Sequence, residues 1–226
     1  MGKLGENFRI GHRARMRQKF LDDKLTDDEL LELLLSYAIP RRDTKPIAKL
    51  LVSQFGNVQR ILSASVDDLC QIDGIGPNVA IFLRAIREIT LLNYKQQISE
   101  QPLFHDHKRL ENYARLLLME KREEEFHILY LDSVRRLIKD DNHSKGTSNN
   151  VTVYPREILK RALDLNAKFV ILMHNHPDGT RFFSTDDLAV TEATKRILDV
   201  VGIKVDDHLL VANDLVFSAK NMMLCK

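Results

Sequence analysis

The stretch 168–187 reads KFVILMHNHPDGTRFFSTDD, and its reading decides the second half of the chain. The segment KFVILMHN (168–175) is a nearly continuous apolar run of strand length, as expected for a strand buried on both faces. On a strand, residues i and i+2 point to the same side. His174 and His176 therefore present their imidazoles to one face. Pro177 ends the ladder, the loop DGTRFF brings the chain around, and Ser184 or Thr185 starts a helix. Asp187 then falls in the first turn of that helix, where its carboxylate can face back toward the two histidines. Two imidazoles, one carboxylate and an open position are what a catalytic zinc requires. Zinc lowers the pKa of its bound water from about 15.7 toward about 7. Ser184 with Asp187 is also a plain S-x-x-D capping box, which explains the helix start without any metal. The conjunction of both histidines with that box favours a metal site, with one zinc per chain. Iron or manganese also suits two histidines and a carboxylate.

Around this stretch the pattern is mixed α/β. FHILYLD (126–132) and RRLIKD (135–140) form a hairpin around SV, and NVTVYP (150–155) is a third strand candidate. REILKRALDLNA (156–167) has the helical period. TDDLAVTEATKRILDVVG is a helix closed by Gly202, and KVDDHLLVAN and LVFSA are strands around Asn213 and Asp214. His208, in DDHLLV, is either a partner behind the metal site or a packed histidine satisfied by Asp206 or Asp207.

The first hundred residues carry the helical period throughout. Thr26 and Glu29 make a capping box for TDDELLELLLSYAI, and Pro40 ends that helix. LCQIDGIGPNVAIFL (69–83) is a helix, a glycine hairpin and a second helix opening near Pro77. Backbone N–H groups at Gly74, Ile75 and Gly76 can face a phosphate at that helix N-terminus. With Leu69, Ile72, Ala80 and Leu83 around it, the segment resembles the helix-hairpin-helix module, which contacts DNA backbone without reading bases. Arg13, Arg15 and Arg17 belong to an acid-free cationic run from Arg9 to Lys19, which reads either as a solvated helix face or as a further footprint for phosphate backbone, with Arg41, Arg42, Arg84 and Arg87 as additional cations. The expected organisation is a helical domain over 1–95, a linker over 96–107 and an α/β domain over 108–226.

The 226 residues, 44% apolar and 29% charged, make an ordinary globular composition, and a net charge of +2 decides nothing. The two cysteines, Cys70 and Cys225, form no CxxC pair, which argues against a disulfide scaffold and for a reducing, cytoplasmic setting. No apolar run approaches the roughly 20 residues that span a bilayer, and no secretory signal opens the chain, so no membrane partner is expected. A nucleobase deaminase is excluded by residues, since H-x-E and P-C-x-x-C are absent.

HNHPDGTRFFSTDD resembles the JAMM (MPN-type) metalloprotease motif. The chain also resembles the bacterial RadC proteins through GHRARMRQKF, LTDDELLELLL, LCQIDGIGPNVA, GTSNNVTVYPREILKRALDLNA, VILMHNHPDG and DDHLLV. The resemblance implies an N-terminal all-α helix-hairpin-helix domain followed by a C-terminal mixed α/β JAMM domain of the cytidine-deaminase-like type. It implies His174, His176 and Asp187 as zinc ligands, and Ser184 as a hydrogen-bonding group for the bound water or the tetrahedral intermediate. It implies a zinc-dependent hydrolase of the metallopeptidase type, acting on a protein or peptide and linked to DNA repair or recombination. A weak or inactive zinc-binding interaction module and a zinc nuclease are the competing readings.

A general base is also required. The RadC pattern implies a Glu shortly after the LI strand, and the matching position here is Asp141, with Asp140 as substitute. Aspartate is one methylene shorter, and a base withdrawn by roughly 1 Å loses about 10²-fold in rate. The family pattern also has Ser and Pro where this chain has Asp178 and Phe183. Asp178 reads as a solvated turn residue rather than an extra ligand.

Overall fold

The computed structural model describes residues 3–103, 107–119, 121–143 and 153–223. The GTSNN stretch, the first part of the strand candidate at 150–155, His105 and Cys225 lie outside them, as does the side chain of Arg9. The chain divides into two compact units, Met1–Ile89 and Thr90–Lys226.

The first unit is all-helical: α1 (Lys3–Leu21), α2 (Asp27–Ala38), α3 (Lys45–Phe55), α4 (Val58–Ser63), α5 (Val66–Cys70) and the opening turns of α6 (Pro77–Glu100). Local chemistry sets the starts. Thr26 and Glu29 form the reciprocal capping box of α2, Pro46 stands in the first turn of α3, and Asn57 and Ser65 cap α4 and α5. Leu31, Leu35, Leu51, Ile61, Leu69, Ile75 and Leu83 fill one core. Gly74 turns the hairpin with φ +89°, a conformation in which a side chain is strained, and its missing Cβ leaves room for Ile47.

The second unit holds α7 (His107–Leu118), β1 (Phe126–Leu131), β2 (Leu137–Asn142), α8 (Pro155–Asp164), β3 (Phe169–His176), α9 (Thr185–Asp199), β4 (Lys204–Ala212), β5 (Leu215–Ser218) and α10 (Ala219–Met223). Within 96–107, expected as a linker, Ile98 and Leu103 are buried in this unit's core. The five strands run in the order β2-β1-β3-β4-β5. Only β3 and β4 are parallel, joined through α9. The β1–β2 turn covers 132–136, where the Asp132 carboxylate accepts from the N–H groups of Val134 and Arg136. Val153 and Tyr154, within the third strand candidate, are not in a strand, and Pro155 opens α8 instead.

Both faces of the sheet are covered. Leu110, Tyr113, Ala114 and Leu118 of α7 pack on Leu129, Ile171 and Met173. Ile158, Ala162 and Leu198 of α8 and α9 pack on Ile128, Val170 and Leu172. This explains the unbroken apolar run of β3, since alternate residues enter opposite cores. The alternation continues past the core: His174 and His176 follow Leu172 on the α8/α9 side, while Asn175 follows Met173 on the other. Among the described residues, no helix is long and apolar enough to cross a membrane.

Candidate metal centre

The site forms where β3 ends and α9 begins, at the carboxyl end of a parallel strand pair, where α/β sheets habitually bind ligands. His174 Nε2 and His176 Nε2 lie 3.1 Å apart. Asp187 Oδ1 is 3.3 Å from the first, and Oδ2 is 3.4 Å from the second. One ligand atom from each of the three residues falls within 4.8 Å of the others. The strand period and the helix start therefore bring together the three residues the sequence singled out.

Asp187 is both part of the cap and part of the cluster. Its Oδ2 accepts from the Ser184 N–H at 2.6 Å and from the Ser184 hydroxyl at 2.7 Å. The Ser184 hydroxyl oxygen accepts in return from the Asp187 N–H at 3.1 Å. Capping thus uses one carboxylate oxygen and leaves Oδ1 toward His174. It also commits the one hydroxyl proton of Ser184 to Asp187. Burial alone would raise the Asp187 carboxyl, but its interaction with His174 and the bonds from Ser184 hold it well below the ordinary carboxylate range.

The donor set fits a cation. His176 Nδ1 lies 2.9 Å from the Thr180 carbonyl, which can only accept, so Nδ1 carries the hydrogen and Nε2 offers a lone pair. That lone pair meets a second imidazole nitrogen and a carboxylate. Such a convergence of acceptors is satisfied only around a proton or a metal ion.

Two further features line the centre. His174, fully buried, sits 2.8 Å through Nδ1 from His208 Nε2, and burial above all pushes the His208 pKa well below its ordinary value. Phe183 and Phe126 place their rings against His174 and His208. Beside His176, a cleft of about 350 Å³ is lined by Lys121, Arg122, Asn175, Pro177 and Asn213 among others.

Glu124 is a residue that the sequence reading did not single out. Phe126, the first residue of β1, pairs with His174 in the antiparallel β1–β3 ladder, and Glu124 stands two residues before it, close enough for its carboxyl to feel the histidines. The Asn175 side chain, 3% exposed, fastens this segment. Its Oδ1 accepts from the Glu125 N–H at 2.8 Å, and its Nδ2 donates to the Glu123 carbonyl at 3.1 Å. The backbone on either side of Glu124 is thereby held to Asn175. Its carboxyl feels His174, Asp187, His176 and Asp178, and burial raises its pKa above the ordinary value.

Asp141, the expected base, is placed elsewhere. It lies opposite Ile128 on the edge strand β2, and its Oδ2 accepts from Arg161 Nε of α8 at 2.7 Å. The cause is local: β2 and α8 meet there, and the guanidinium claims the carboxylate. Asp140, the substitute, belongs to the opposite face, where it bonds His127 Nδ1 at 2.8 Å and the Tyr113 hydroxyl. Asp178 makes a turn, accepting from the N–H and hydroxyl of Thr180 at 2.9 and 2.8 Å.

In the first unit, the hairpin residues divide. Ile75 is buried in the core and its N–H donates to the Ile72 carbonyl, so that group is used inside the turn rather than offered outward. The guanidinium of Arg42 sits over the hairpin, 3.5 Å from where a Cβ on Gly74 would be. Arg13 donates to the carbonyls of Ile39, Pro40 and Arg42, tying α1 to the end of α2. Arg15 and Arg17 are exposed.

A five-stranded mixed sheet covered by helices, with two strand-end histidines and a helix-start aspartate, is a JAB/MPN-type domain, here preceded by a helical hairpin unit. Family comparison matches residues 104–224 to the RadC-like JAB domain and residues 45–88 to the helix-hairpin-helix motif. A UPF0758 protein of Fusobacterium nucleatum subsp. nucleatum is 36% identical over 226 residues, covering 95% of this chain and 97% of the relative. A UPF0758 protein of Ruegeria pomeroyi is 35% identical over 210 residues, covering 92% and 94%. The chain belongs to the RadC family.

Proposed function

We propose that this chain is a zinc-dependent hydrolase of amide or related carbonyl bonds, held near its substrates by contacts of the first unit with DNA backbone. The observation that carries the reading is the convergence of His174, His176 and Asp187 on one point, with the Glu124 carboxyl within their electrostatic reach and its flanking backbone bonded to Asn175. His174, His176 and Asp187 would hold the ion. When bound, zinc supplies Lewis acidity and an acidified water. Glu124 takes a proton from the attacking water and returns it to the leaving amine, work that suits a carboxyl whose pKa is raised by burial. Ser184 caps α9 and donates its N–H and hydroxyl to Asp187 Oδ2. The Arg42 guanidinium at the Gly74 turn, with exposed Arg15 and Arg17, supplies the phosphate contacts of the first unit, sequence-independent and salt-sensitive. DNA repair or recombination is the setting the family resemblance implies.

The test begins with metal content by elemental mass spectrometry, where about one zinc per chain is expected, lost in His174→Ala/His176→Ala. Hydrolysis is then read on a fluorogenic peptide panel and on DNA. Glu124→Gln is expected to keep zinc and lose turnover, whereas Asp141→Asn keeps both. Failure to take up zinc, or full turnover in Glu124→Gln, overturns the reading. Zinc-dependent cleavage of DNA without peptide hydrolysis would assign a nuclease instead.

A further inference from the structure

Behind the metal centre, a chain of hydrogen bonds runs from His174 into the protein and returns to another ligand residue. His174 Nδ1 lies 2.8 Å from His208 Nε2. His208 Nδ1 lies 2.6 Å from the Thr191 hydroxyl oxygen, which lies 2.6 Å from the Asp187 carbonyl oxygen. The positions of the protons follow from the last of these. A carbonyl only accepts, and two oxygens 2.6 Å apart must share a hydrogen, so the single Thr191 proton points at Asp187. Thr191 must then accept from His208 Nδ1–H. A neutral His208 with its hydrogen on Nδ1 has a lone pair on Nε2, and that lone pair accepts from His174 Nδ1–H. His174 Nε2, at the far end, is left bare and aimed at the cluster.

We propose that His208 and Thr191 are positioning residues that lock His174 in the tautomer whose Nε2 is free to ligate a metal. The inference rests on the metal-centre reading above. The three groups are sealed: His174, Thr191 and His208 are 0%, 2% and 1% exposed. The Phe183 and Phe126 rings lie 5.0 and 5.6 Å from the His208 ring, leaving apolar walls where water would otherwise compete for its nitrogens. Neither Asp206 nor Asp207 serves His208's ring. Asp206 pairs with Arg135, and Asp207 accepts from the Ser218 hydroxyl and the backbone N–H groups of His208 and Lys220. The ring is thus free of carboxylates, and its two nitrogens are spent wholly on connecting one ligand residue to another. The polarity is set at the α9 end, because Thr191 can bond the Asp187 carbonyl only while α9 keeps its first turns.

The experiment measures zinc affinity by competition with a chromophoric chelator, and the His174 tautomer in the metal-free protein by long-range ¹H–¹⁵N correlation. His208→Ala and Thr191→Val are expected to weaken zinc binding by about 10–100-fold, the usual consequence of removing a partner behind a ligand. The wild type is expected to carry the His174 hydrogen on Nδ1, and both variants to lose that single-tautomer signature. His208→Gln, whose carboxamide oxygen accepts from His174, and Thr191→Ser restore both readouts. Unchanged zinc affinity and tautomer in folded His208→Ala or Thr191→Val overturns the proposal. Should one of them not fold, the other and the two conservative variants decide it. Absence of zinc binding in the wild type would defeat the metal reading, and the tautomer measurement would still judge the relay separately.

Discussion

The double use of Asp187 can be separated by two substitutions. Oδ2 accepts both capping bonds from Ser184, whereas Oδ1 faces His174. Asp187→Asn keeps an acceptor for the Ser184 N–H but removes the anionic ligand. Ser184→Ala keeps the ligand but removes the cap. At a zinc concentration of 100 times Kd, binding stabilises the folded state by about 2.7 kcal/mol. At about 2–4 °C per kcal/mol for a chain of this size, the melting temperature rises by about 5–10 °C. If Asp187→Asn weakens the site a hundredfold, the same zinc concentration equals Kd and contributes about 0.4 kcal/mol, a shift of about 1 °C. Ser184→Ala loses a helix N-cap, about 1 kcal/mol, so its metal-free transition falls by about 2–4 °C. Its zinc-induced rise is expected to stay near the wild-type value. The assay is differential scanning calorimetry of the three proteins, chelated and with zinc. A full zinc response in Asp187→Asn, or none in a folded Ser184→Ala, would refute the division of labour between the two oxygens.

Asn175→Ala strips partners from two backbone groups and is expected to destabilise the second unit by about 1–3 kcal/mol in denaturant melts. It is also expected to lower turnover by about 10²-fold while zinc content holds, because Glu124 loses its aim; unchanged turnover would show that Asn175 does not position the base. His127 is raised above its ordinary pKa: burial pushes it down, but its hydrogen bonds to the carboxylates of Asp140 and Glu125 outweigh that. Its contribution is therefore complete below about pH 6.5 and is lost as pH climbs through the higher folded value, so the wild-type advantage over His127→Gln should shrink across that range in urea midpoints. Glu125, brought down to about 2 chiefly by its hydrogen bond with His127, contributes in the opposite sense, with its share lost as pH falls from about 4.3 toward that value. Gly74→Ala forces a side chain into φ +89° with its Cβ 2.8 Å from Ile47 Cδ1, and should cost the first unit about 1–3 kcal/mol, whereas Gly76→Ala meets nothing within 4 Å and should fold as well as wild type; equal melting of the two would contradict the hairpin geometry.

Legibility followed sequence distance. The pairing of His174 with His176 depends only on the period of one strand, and Ser184 with Asp187 only on one helix turn, so both were readable locally. Thr26 with Glu29 was readable for the same reason. Glu124 was not, because it reaches the histidines from a segment 52 residues before His176, and the run Glu123, Glu124, Glu125 carries no mark of which carboxyl lies near them. Placing the base at Asp141 by resemblance put it on the edge strand, where α8 delivers Arg161. The two options for His208 also divided on tertiary contacts. Its neighbours in sequence, Asp206 and Asp207, were the obvious partners, but helix packing supplied Thr191. Arg13 looked like any cation of an exposed run, and only the approach of α1 to the end of α2 gives it three carbonyls.

The triplet His-Asn-His reads both sides of the sheet at once, and this bears on how the gene can tolerate insertions. Residues added before Glu123 merely lengthen the connection that follows α7. A single residue added between Glu124 and Phe126 leaves the core contacts of β1 in place, yet shifts Glu124 out of the position that the Asn175 bonds to its neighbours give it. On the proposed mechanism, such a protein would fold and take up zinc but lose turnover. On that reading the short span from Glu123 to Phe126 is fixed in length by chemistry, although packing alone would let it vary.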